Sequence, residues 1–159
     1  MPDLRALLSE AGFSDVQTYV QSGNVVVTSS ASAPEVAAEA ERLIADRFGF
    51  SVDVIARTGE ELAEVVARNP LADVAADPKR YQVSFLEAEL DPASLKRIDA
   101  LRAEPERLVA IGRELYAWHP NGIGRSKLWA KLGGTGLGVR ATARNWATVT
   151  KLLEMSRSS

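Results

Sequence analysis

The chain has 159 residues, 46% hydrophobic and 25% charged, with a net charge of -2 and no cysteine. That supplies a core for one domain or two small subdomains and argues against whole-surface attraction to nucleic acid or anionic lipid. Disulfides and thiolate chemistry are excluded, and a single histidine, His119, argues against a zinc site built from this chain alone.

Leu4, Leu7, Leu8 and Ala11 recur at helical spacing and Gly12 follows as a stop, which predicts a helix over 3–11. Val16 to Val20 and Val25 to Thr28 are rich in β-formers around Ser22-Gly23, a hairpin pattern. Ser32 and Glu35 form a capping box ahead of a stripe of Val36, Ala40, Leu43, Ile44 and Phe48, and Gly49 ends that helix. Val52 to Ala56 reads as a buried strand. Thr58 and Glu61 form a second capping box, opening a helix that Pro70 stops.

The pattern then starts over. Tyr81 to Leu86 reads as a strand, and Asp91-Pro92 as an N-cap with proline at the first helical position. Arg107 to Ile111 and Glu114 to Trp118 are strands around a turn at Gly112-Arg113. Ser126 to Leu132 reads as a short helix, Gly133 to Gly138 as a loop, and Thr142 as the cap of a last helix carrying Trp146, Val149 and Leu153. Ser156 to Ser159 should fray. The fold class is α+β: two ferredoxin-like, split β-α-β subdomains, the first lacking its opening strand. The expected layout is 1–69 for the N-terminal subdomain with its connecting helix, 70–79 for a linker, and 80–159 for the C-terminal subdomain.

Two stretches carry a resemblance. MPDLRALLSEAGFSDVQTYVQSGNVVV at 1–27 and ATARNWATVTKLLEM at 141–155, with KLWAKLG at 127–133 between them, are similar to the bacterial domain-of-unknown-function family numbered 1697. The resemblance covers nearly the whole chain and implies two α+β subdomains; it implies no activity. It also implies a strand and an arginine- and glycine-rich loop ahead of the segment that opens here at Met1. Without that strand, Val52 to Ala56 is expected to face an open slot in the sheet. The expectation is a longer parent protein, a rearrangement, or an oligomer formed through the slot.

Three places carry candidate chemistry. Arg140, Thr142, Arg144 and Asn145 surround the expected start of the last helix, where cations are unfavourable by roughly 0.3–1 kcal/mol each. A bound anion would repair that conflict. Arg125, Ser126 and Lys127 follow glycines at another helix start, though not in Walker A order. Gln21, Ser22 and Asn24 sit at the hairpin tip as secondary candidates. The plain alternatives are a surface ion pair for Arg144, an N-cap for Ser126 and turn residues for the tip. A triad around His119 would need a nucleophile and a carboxylate beside it, and the sequence has no G-x-S-x-G elbow.

The function expected is therefore binding of a small anionic or nucleotide-like ligand at a basic site between the subdomains. The alternative is a protein- or RNA-interaction module without catalytic activity. No nucleophile–base pair can be read off, so no enzyme class is assigned, and neither a cofactor nor a metal is implied. No apolar run reaches the roughly 18 residues of a membrane span and no basic, apolar leader opens the sequence. A cytoplasmic protein is expected, with no membrane partner and with a nucleic-acid partner disfavoured.

Overall fold

The structure is a computed structural model describing residues 2–19, 23–124, 126–132 and 137–157. The protein is α+β, and the chain forms two compact units, 1–63 with 150–159, and 64–149.

The first unit begins with α1 (Pro2–Glu10), whose Leu4 and Leu8 are buried. Strands β1 (Ser14–Tyr19) and β2 (Asn24–Thr28) pair antiparallel as a two-stranded sheet. Their register slips between Ser14 and Gln17, and Asp15 takes a left-handed φ of 51° there, so β1 carries a bulge. Helix α2 (Ala33–Phe48) follows. The Ser32 and Glu35 side chains each take the other's backbone N–H, and Gly49 closes the helix at φ 76°. No residue of α2 is buried, although its apolar stripe is complete.

Helix α3 (Gly59–Ala67) opens on the second capping box: Thr58 N–H donates to Glu61 Oε1 at 2.8 Å, and Glu61 N–H to Thr58 Oγ1 at 3.1 Å. The second unit then runs β3 (Tyr81–Leu86), α4 (Pro92–Asp99), β4 (Arg107–Ile111), β5 (Glu114–Trp118), α5 (Lys127–Leu132) and β6 (Ala141–Asn145). Helix α6 (Trp146–Arg157) is the last element among the described residues. The four strands make one antiparallel sheet in the order β4-β5-β3-β6. That is the ferredoxin-like order, with the unit's first strand in the middle.

Strand β3 is buried at all six positions, because strands flank it and side chains cover both faces. One face packs Leu86, Leu115 and Ala117 against Ile98 of α4 and Leu128 and Leu132 of α5. Each of the leucines and the isoleucine contributes about 1.5–3 kcal/mol by leaving water. The opposite face carries Tyr81, Val83 and Tyr116, all fully buried. There the Tyr116 hydroxyl donates to the Val65 carbonyl at 2.8 Å and accepts from Arg68 Nε at 3.0 Å, while Arg68 also pairs with Glu114.

Three expectations are corrected. Val52 to Ala56 is not a strand: residues 51–58 have no regular structure, and the Val54 N–H goes to the Glu41 carboxylate at 2.8 Å. A strand needs a ladder partner, and among the described residues the first unit has no counterpart of β3 beside this segment. The last helix does not start at Thr142. Residues 141–145 are instead a fourth strand, recruited by pairing with β3 from Leu86↔Ala141 to Gln82↔Asn145. At the other end, α6 runs on to Arg157 rather than fraying from Ser156.

Candidate functional site

Side chains alternate along a strand. Thr142 and Arg144 therefore share the β6 face that looks the same way as Phe85 and Val83, while Ala141, Ala143 and Asn145 look the other way; Arg140 is the residue just before the strand. Arg144 Nη1 donates to the Thr142 hydroxyl at 2.5 Å and to the Ala143 carbonyl at 2.8 Å. Burial pushes the Arg144 guanidinium below its ordinary value. Arg140 pairs through Nε with the Glu87 carboxylate at 3.2 Å. Asn145, rather than Thr142, caps α6: its Oδ1 accepts the Thr148 N–H at 2.9 Å. The conflict between arginines and a helix dipole thus becomes a different arrangement, with Arg144 on a strand, Arg140 just before it and a neutral amide at the cap.

Ser126 and Lys127 lie at the start of α5, whose Leu128 and Leu132 pack on the face where Ala141 sits. Lys127 is exposed. Arg125, Gln21 and Ser22 lie outside the described residues. Asn24 opens β2 and is nearly buried, and its Nδ2 donates to the Tyr19 carbonyl at 3.2 Å across the hairpin.

Ser126 belongs to a cluster that the sequence reading missed. His119, fully buried after β5, places Nδ1 2.7 Å from Glu106 Oε2. The Ser126 hydroxyl donates to the same carboxylate oxygen at 2.5 Å, lies 3.3 Å from His119 Nδ1, and accepts the Trp129 N–H at 3.0 Å as the cap of α5. Glu106 Oε1 accepts the Ala103 N–H at 3.0 Å. Burial opposes ionisation of Glu106, but the bonds from His119, Ser126 and Ala103 outweigh it and hold the carboxyl below its ordinary value.

A hydroxyl, an imidazole and a carboxylate are thus in contact, yet not as a nucleophile relay. A relay needs the acid on one ring nitrogen and the hydroxyl on the other. Here both sit at Nδ1, and the serine proton points to the carboxylate. His119 Nε2 is buried without a hydrogen-bond partner among the described residues. The cluster ties the segment before β4 to the segment before α5. Among the described residues no group of three or more His, Asp or Glu side chains is placed to hold a metal ion, and no helix is long and apolar enough to cross a membrane.

The fold is similar to that of a conserved bacterial protein from Streptococcus pneumoniae, SP0830, with a TM-score of 0.76 at 22% identity, over 99% of this chain and 88% of that one. No curated protein matches the chain. The model of a family described as proteins of unknown function, DUF1697, matches residues 1–116, a stretch that runs from α1 through Tyr116 at the centre of β5. With most of its length inside that match, the chain belongs to the DUF1697 family.

Proposed function

We propose that the chain is a binding module for a small anionic or nucleotide-like ligand, held by Thr142 and Arg144 on β6 and by Arg140 just before it. The observation that carries this reading is their spacing: Thr142 and Arg144 project from one face of β6, an edge strand of the sheet, and Arg140, the residue just before the strand, continues the same every-second-position pattern. The Thr142–Arg144 bond keeps the guanidinium beside a hydroxyl that can itself contact an oxyanion. Asn145 serves as a cap in this reading, and Ser126 as part of the Glu106 cluster. A cytoplasmic setting goes with it.

The test is titration calorimetry with phosphate, ATP and a short RNA on the wild type and Arg144→Glu. Loss of a charge-assisted bond should weaken phosphate or ATP binding by about 1.5–3 kcal/mol. A matched melting temperature would exclude misfolding as the cause, and equal binding by both proteins would remove Arg144 from the site.

A second reading, a protein- or RNA-interaction module, rests on the same strand lying at the end of the sheet, where a ladder can be extended. For RNA the sheet offers little stacking surface, since Tyr81 and Tyr116 are both fully buried. Binding of the short RNA without binding of ATP or phosphate would favour this second reading.

A further inference from the structure

The helix layer of the second unit holds a cavity of about 210 Å³ between α4 and α5. Its described lining is Ser94, Arg97, Ile98, Leu101, Lys131 and Leu137. Ile98 and Leu137, each 3% exposed, give it an apolar floor. The charged groups are a guanidinium from α4 and an ammonium from α5, and no carboxylate is among the described lining residues. The Ser94 hydroxyl accepts from Arg97 Nη2 at 3.0 Å and so anchors the guanidinium at the cavity. The acid at the head of α4, Asp91, is engaged by the Ser94 N–H and hydroxyl at 2.7 and 3.1 Å.

Each cation alone suits the helix end it occupies. What the ends do not account for is that two helices bring their cations to one apolar hollow. We infer that this hollow is a binding site for a small amphiphilic oxyanion, a carboxylate or phosphate head on a ring or short chain. The volume matches about seven waters, enough for such a molecule and too little for a nucleotide. The head sits between Arg97 and Lys131, and the body covers Ile98, Leu101 and Leu137. This site is separate from Arg140 and Arg144.

The test is heteronuclear NMR titration of the whole chain with phenyl phosphate, benzoate, inorganic phosphate and phenol. Phenyl phosphate or benzoate, or both, should bind saturably, shift the amides of residues 94–101 and 131–132, and bind about tenfold or more tightly than phosphate or phenol. Which of the two binds more tightly identifies the head. Arg97→Gln and Lys131→Gln should each weaken that binding about fivefold or more. Ser94→Trp, which fills the hollow from its partly exposed side, should abolish it. Arg144→Glu should leave it unchanged, so the two sites stand or fall separately. The inference is overturned if, read at the amides of residues 94–101 and 131–132, neither amphiphile binds, if phosphate alone binds as tightly there, or if both Gln variants of stable fold bind like the wild type.

Discussion

Glu106 and His119 face each other across the open end of the β4–β5 hairpin, carboxylate oxygen to Nδ1 at 2.7 Å, with both side chains withdrawn from solvent. The pair continues the strand register: Arg107 lies opposite Trp118, so the residues one step beyond are themselves opposite. Because the carboxyl ionises more readily in the folded chain than in the unfolded one, it contributes stability above its ordinary value of 4.5. That contribution is lost as pH falls through the lower folded value. Glu106→Gln should therefore lower the melting temperature at neutral pH and flatten its acid-side decline. Melting curves from pH 7 to 3 check this, and parallel pH profiles for the two proteins would refute it.

Asn145→Ala should destabilise the chain by about 0.5–2 kcal/mol, through loss of the cap on Thr148. Asn145→Ser should recover most of it, because serine also caps well. Thr142→Ala should leave the helical signal in circular dichroism unchanged, since Thr142 lies on β6. A larger loss of helix from Thr142→Ala than from Asn145→Ala would return the helix start to Thr142.

The Ser84 hydroxyl is fully buried in the middle of β3 and has no hydrogen-bond partner among the described residues. Burying such a hydroxyl costs about 1–3 kcal/mol on protein mutational scales. Ser84→Ala removes that cost without opening much space, so urea denaturation should show equal or greater stability. A clear loss would mean that the hydroxyl is satisfied.

Leu128→Ala should cost about 2–5 kcal/mol, because the leucine is fully buried among Leu86, Leu115 and Ala117. Ile44→Ala on α2 should cost well under half as much, since Ile44 is only half-buried and nothing on its helix is fully covered. Paired denaturation curves compare the two, and equal losses would show a packed core beneath α2.

Local signals were legible wherever the chain contacts itself nearby. The Ser32–Glu35 and Thr58–Glu61 boxes, Asp91-Pro92 and the turn at Gly112-Arg113 all act within a few residues, and each marks the element it promised. Strand β6 was misread because its determinant is β3, some sixty residues earlier, while Thr142, Arg144 and Asn145 locally resemble a helix start. The available clue was alternation: Val139, Ala141 and Ala143 interleave with Arg140, Thr142 and Arg144, a period of two. The Glu106–His119 pair was also within reach. A two-residue turn at Gly112-Arg113 sets Ile111 opposite Glu114, and counting outward pairs Glu106 with His119. Ser126 could not be read this way, because only the packing of α5 brings it to the carboxylate.

The position of β3 has a consequence for how the protein is made. The strand leaves the ribosome before all its partners, yet its second ladder is not complete until Asn145 has been synthesised. Its six residues, which the finished protein buries entirely, must wait through most of the second unit's translation with one edge open. The first unit waits longer still, since it is closed by residues 150–159. The second unit cannot complete its sheet until β6 has emerged, and a nascent chain stalled just short of β6 would present a half-paired strand to chaperones or to another copy of itself.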